Sequence, residues 1–169
     1  MHMRQVVLGC GNLFAADDAI GLKVIQYLKE HLQSELPANT LLIEAGTPGI
    51  NLLDYWQAGD RVILVDAVQS GMPVGTVQRF ELKDLTSRSR GKLVRDAHGL
   101  GILDALDLAR VTGNLPASLT IIGIEIQDEE PYQVGLSPVV EAAIVPAAQA
   151  VQEELAKLAK MALDRRLCS

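Results

Sequence analysis

Two aspartates and a histidine, far apart in the chain, carry the most specific chemistry in this sequence. Asp18 follows the apolar run Val6-Val7-Leu8 and the glycine turn Gly9-Cys10-Gly11-Asn12. Asp66 ends the run Val62-Ile63-Leu64-Val65, and His98 opens an amphipathic stretch. Two bare carboxylates placed side by side repel, and one tends to keep a proton. A divalent cation removes that conflict, and imidazole with carboxylates is a working donor set for zinc or nickel. Three protein ligands leave positions open for water or for groups of a substrate. Each residue also has a plain structural role: Asp18 as a helix cap, Asp66 as an acceptor at a strand end, His98 bonded to a carbonyl. The spacing is scattered, unlike that of a zinc finger. The weight rests on the three falling together at strand-end positions.

The elements that would put them there follow from the hydrophobic pattern. Gln5 to Leu8 reads as a buried strand, and Asp17 or Asp18 can cap a helix from Ala19 to Leu32 with a stripe of Ile20, Val24 and Leu28. Thr40 to Glu44 is a second strand, closed by Ala45-Gly46-Thr47-Pro48-Gly49 and a short helix carrying Ile50, Leu53 and Trp56. Arg61 to Asp66 reads as a central parallel strand, because its apolar run is continuous. After the turn Gly71 to Gly75, the mixed segment Thr76 to Leu82 reads as an edge strand. Lys83 to Ala97 is polar and locally basic, a solvated loop that can also meet an acidic or C-terminal peptide segment.

His98 then opens a helix with Leu103, Leu106 and Ala109 on its apolar side, ended by Gly113 and Pro116. Leu119 to Ile126 is the fifth strand, followed by the acidic loop Asp128 to Tyr132. Ser137-Pro138 starts a last helix, which Pro146 should kink or split, and the tail from Asp164 should fray. The alternation implies α/β architecture: one domain over 1–169, a three-layer sandwich with an about five-stranded, mostly parallel twisted sheet and helices on both faces. Right-handed crossovers put the strand-end loops on one edge, and strands one and three are expected to be neighbours.

Bulk properties narrow the partners. The 169 residues carry 49% apolar and 21% charged side chains and a net charge of −6. That excludes a nucleic-acid binder organised around a basic face, and no apolar run is long enough to insert into a membrane. The N-terminus lacks a secretory pattern, and the two cysteines, Cys10 and Cys168, give no disulfide framework, so a cytoplasmic protein is expected. Phe14 stands where a dinucleotide fingerprint needs its third glycine, which argues against a nucleotide module. Cys10 reads as a small buried residue rather than a nucleophile. His2 and His31 read as a terminal and an exposed helical residue.

Gly9-Cys10-Gly11-Asn12 with Asp17-Asp18 and Gly21 resembles the opening of the hydrogenase maturation endopeptidases. Gly46-Thr47 with Gly49, Asp66-Ala67, His98 with Leu100 and Gly101, and Gly135-Leu136-Ser137 with Glu141 fall in that family's order, so the resemblance runs from about Arg4 to Leu155. It implies a cytoplasmic endopeptidase that removes a C-terminal extension from the nickel-loaded large subunit precursor of a nickel-containing hydrogenase. The metal contacts would fall on Asp18, Asp66 and His98, and substrate contacts on Gly46 and Thr47. The nickel would come with the substrate, other divalent metals being able to occupy the site in vitro. Some members carry glutamate where Asp18 stands and glycine where Ala45 stands.

Two mechanisms fit this resemblance. Nickel held by the substrate's cysteines is docked and checked by the triad, or the metal also polarises the scissile carbonyl or activates a water. Two rivals remain from the residues: an acid-pair peptidase using Asp18 and Asp66 without metal, and a non-catalytic chaperone that binds nickel or the apo-subunit.

Overall fold

The five strands form one sheet in the order β2-β1-β3-β5-β4. They are β1 (Gln5–Cys10), β2 (Thr40–Gly46), β3 (Arg61–Val68), β4 (Val77–Glu81) and β5 (Ser118–Glu125). The structure, a computed structural model, describes residues 4–82, 102–127 and 134–167, with side chains described as far as 161. Strands β2, β1, β3 and β5 run parallel, and β4 joins β5 antiparallel at the edge. The expected mostly parallel sheet, the pairing of the first and third strands and the mixed edge strand are all present. The helices are α1 (Ile20–Tyr27) between β1 and β2, α2 (Ile102–Thr112) between β4 and β5, and the single turn α3 (Pro138–Glu141) and α4 (Ile144–Leu167) after β5.

Period-two alternation divides the core. Val7, Ile63 and Ile122 face α1 and α4, meeting Ile20, Ile25 and Val151, all fully buried. Val6, Leu8, Leu64 and Ile121 face the other way, against Leu52, Trp56 and Leu106. Helices therefore cover both faces of the sheet. Trp56 is buried and its indole N–H donates to the Asn114 carbonyl at 2.9 Å, closing the second layer.

Several local readings need correction. The helix after β1 is shorter than Ala19 to Leu32: a 3-10 turn (Ala16–Ala19) precedes α1, and a π turn (Leu28–Leu32) and a 3-10 turn (Gln33–Glu35) follow it. The segment after β2 is a 3-10 helix, Gly49–Tyr55. Neither Asp17 nor Asp18 caps α1, and Ser137 makes no side-chain cap for α3, although its backbone has the cap conformation. The cap positions of the 3-10 turn and of α1 fall on Ala15 and Ala19, Asp18 accepts the Asn12 N–H instead, and Ser137 directs its hydroxyl to Asp17. The last helix is split as expected, between α3 and α4. Pro146 sits in the first turn of α4, where a missing N–H costs nothing. The last helix runs to Leu167. Lys83 to Ala97 and the acidic loop Asp128 to Tyr132 lie outside the described residues. Among the described residues, no helix is long and apolar enough to cross a membrane.

The first turn of α1 presses onto the sheet. A Cβ on Gly21 would overlap the carbonyl oxygens of Cys10 and Val65, and one on Gly9 would overlap the Gly21 carbonyl. These obstacles are backbone and cannot rotate away. Gly21→Ala is therefore expected to cost at least about 2 kcal/mol, read as a lower urea midpoint. A midpoint equal to that of the unaltered protein would refute this account of the contact.

Candidate functional site

The carboxyl edge of the sheet gathers the loops after β1, β2 and β3. After β1, Gly11 takes a φ of 134°, and a Cβ there would overlap the Asp18 carbonyl. Glycine thus lets the chain fold back on itself so that the 3-10 turn lies over the end of β1. The Gly11 N–H donates to the Gly46 carbonyl at 2.8 Å, tying this loop to the end of β2. Ala15 N–H donates to Asn12 O at 3.1 Å and Asp18 N–H to Ala15 O at 2.9 Å, closing two consecutive turns.

Asp18 sits in the 3-10 turn, half-buried, and its Oδ2 accepts the Asn12 N–H at 2.7 Å. Asp66 lies two residues inside β3, not at its end, and its Oδ1 accepts the Ala67 N–H at 2.9 Å. The 3-10 turn touches β3, and the first turn of α1 rests on Val65, the residue before Asp66. The fold thus brings the segments that bear the two aspartates into contact, with one oxygen of each carboxylate oriented by a backbone N–H. Gly46 closes β2 with a φ of 65°, and Thr47 follows it, exposed, on the same edge.

His98 lies outside the described residues. Among the described residues, no group of three His, Cys, Asp or Glu side chains could hold a metal ion. Two carboxylates on adjacent segments suit a hard or borderline divalent ion, and an imidazole is the donor that would complete the set. Cys10 is buried within β1, consistent with its reading as a packing residue. His31 is exposed and stacks on Tyr27 with ring centroids 4.4 Å apart.

One further carboxylate at this edge was not singled out by sequence reasoning. Glu125, the last residue of β5, is 3% exposed. Its Oε1 accepts the N–H groups of Ser70 and Gly71, each at 2.8 Å. Its Oε2 accepts the Ser70 hydroxyl at 2.7 Å and the Gln78 amide at 3.0 Å. Burial pushes this carboxyl up, but the hydrogen bonds from Ser70, Gly71 and Gln78 together outweigh it and hold the group below its ordinary value. Glu125 thus pins the loop that follows β3. The available signal was a lone charge inside Ile124-Glu125-Ile126, where burial demands partners.

A carboxyl with a depressed folded value stabilises the protein above its unfolded value and loses that contribution as pH falls through the folded one. Glu125→Gln is expected to be less stable than the unaltered protein at pH 7. The gap should close as pH falls below the ordinary glutamate value of 4.5. Urea midpoints measured across that window check this, and a gap independent of pH would contradict it.

Comparison with known proteins gives a consistent picture. A family model described as hydrogenase maturation protease matches residues 22–154. The chain is 33% identical over 164 residues to the Hydrogenase 2 maturation protease of Escherichia coli, covering 96% of this chain and 97% of that one. It is 32% identical over 160 residues to the hydrogenase expression/formation protein HupD of Thiocapsa roseopersicina, covering 95% and 71%. Among solved structures, the hydrogenase maturating endopeptidase HybD of Escherichia coli superposes with a TM-score of 0.75 at 32% identity, over 92% of this chain and 93% of that one. The [NiFe] hydrogenase maturation protease HybD of Thermococcus kodakarensis gives 0.71 at 26% identity, over 90% and 99%.

Proposed function

We propose, from the premise that this chain belongs to the hydrogenase maturation protease family, that it cuts a C-terminal extension from the nickel-loaded large subunit precursor of a NiFe hydrogenase. The observation that carries the reading is the contact between the turn bearing Asp18 and the strand bearing Asp66, at the edge where open α/β sheets take ligands. His98 supplies the third donor in this proposal, and Gly46 and Thr47 border the path of the extension. The protein acts in the cytoplasm on this reading, without inserting into a membrane.

Nickel belongs to the substrate here. It arrives held by the precursor's cysteines, and Asp18, Asp66 and His98 bind it to dock the subunit and to verify that assembly is complete. A bound divalent ion would also supply Lewis acidity toward a nearby carbonyl. The chain's own part is orientation. Asn12 N–H and Ala67 N–H fix one oxygen on each carboxylate, so the pair is held in place before the precursor arrives. Such fixing lowers the reorganisation needed on binding.

Mass spectrometry of a nickel-loaded precursor before and after incubation tests the whole reading. The unaltered protein should shorten the precursor. His98→Ala and Asp66→Asn should each slow shortening by about 100-fold or more while circular dichroism stays unchanged, since a lost ligand removes both charge and geometry. Retention of the loaded precursor without shortening would instead mark a chaperone. Shortening that survives complete metal removal would mark an acid-pair peptidase.

A further inference from the structure

The Asp17 carboxylate takes no part in the proposed nickel contact, yet among the described residues it makes a short bond of very long range at this edge. Its Oδ1 accepts the Ser137 N–H at 2.6 Å and its Oδ2 accepts the Ser137 hydroxyl at 2.9 Å. The two residues are 120 positions apart. The bond displaces a local alternative. Asp17 lies inside the first turn, whose cap position is Ala15, and Ser137 has the φ of −64° and ψ of 152° of a capping residue but directs its hydroxyl to Asp17. A cap is worth about 1 kcal/mol, so a fold that forgoes one must recover as much elsewhere.

The turn that Asp17 belongs to needs holding. Ala16, immediately before it, has a φ of 43°, in the left-handed region that costs a non-glycine residue about 1 kcal/mol or more. Strained backbone persists only where surrounding contacts over-determine it. On one side of Ala16 stand the turn bonds Ala15 N–H to Asn12 O and Asp18 N–H to Ala15 O. On the other stands the double bond of Asp17 to Ser137, the tie that anchors this turn to the segment after β5.

We propose that Asp17 is a positioning residue: by gripping Ser137 at both oxygens, it holds the strained turn in the one conformation that presents Asp18 to the metal. This rests on the reading of Asp18 as a metal contact given above. Asp17 acts only through the backbone it shares with Asp18. The Asp17 side chain faces Ser137, so a change there alters the placement of Asp18 without removing a ligand. Ser137 is the partner through which the segment preceding α3 enters the geometry of the centre.

Isothermal titration of the metal-free protein with nickel(II) ion alone tests it, with thermal unfolding of each variant in parallel. Asp17→Ala should weaken nickel binding by about 10-fold or more, the cost typical of losing a group that orients a ligand. Asp17→Asn should stay within about 3-fold of the unaltered protein, because its Oδ1 can accept the Ser137 N–H and its Nδ2 can donate to the hydroxyl. Ser137→Ala, which keeps the N–H bond, should fall between them and serves if Asp17→Ala does not fold. Asp18→Ala should abolish binding. An Asp17→Ala protein of lowered melting temperature and unaltered nickel affinity would reduce the bond to a structural tie and overturn the proposal. So would an Asp17→Asn protein as impaired as Asp17→Ala. Nickel affinity unaffected by Asp18→Ala, or absent from the unaltered protein, would overturn the metal reading itself and the positioning role with it.

Discussion

The close approach of the first turn of α1 to the ends of β1 and β3 is the constraint from which the rest follows. Gly9, Gly11 and Gly21 lack the one atom that would forbid it, and in each case that atom would strike backbone. Without this approach the 3-10 turn could not touch β3, and the segments that bear Asp18 and Asp66 would lie apart. The buried layer below it, Ile20 and Ile25 against Val7 and Ile63, supplies the apolar driving force that keeps the helix down. The glycines set how close the layers come, and the isoleucines make that closeness favourable.

Above that layer, polar bonds fix the loops one to another. Gly11 N–H reaches Gly46, Asp17 reaches Ser137, and Glu125 reaches Ser70 and Gly71. These join the loop after β1 to the end of β2 and to the segment before α3, and the end of β5 to the loop after β3. A carboxylate receiving several N–H and O–H donors is among the stronger neutral–charged contacts, and a buried one is costly to break. The edge that carries the candidate site is therefore braced by contacts between segments remote in sequence.

That division explains what the sequence could reveal. The strands, the neighbouring of β1 and β3 and the edge position of β4 were readable because burial imposes period two or a continuous apolar run, and because Gly71 and Gly75 punctuate the chain before the mixed strand β4. The end of α2 was readable because Gly113 adopts the positive φ that its position after the last turn demands. Capping was misjudged at Asp17 and Ser137 for the opposite reason. At Ser137 the local rule fails because Asp17, invisible at that range, takes the hydroxyl, and at Asp17 it fails because the cap positions fall on Ala15 and Ala19. Glu125 escaped notice on the same ground: its partners lie on β4 and on the loop after β3. Of the proposed centre, Asp18 and Asp66 could be paired by strand adjacency, whereas His98 lies outside the described residues and rests on its sequence context and the resemblance.

The two oriented aspartates pose an electrostatic question that the proposed function answers. An N–H fixes the direction of a carboxylate but is neutral, and leaves the charge of the group in place. Two carboxylates and a neutral imidazole carry a charge of −2, which matches a divalent ion. Three donors nonetheless form an incomplete shell, and a free ion held by them keeps open positions. On the proposed reading, a subunit that brings nickel on its own thiolates completes that shell, while a subunit without metal brings no ion for the two carboxylates to bind. Discrimination between loaded and empty precursor is then a difference between two binding free energies, set by the ion contact that only the loaded precursor can make. On this argument the check on assembly needs no conformational switch in the enzyme. It follows from two half-shells, neither of which satisfies the ion alone.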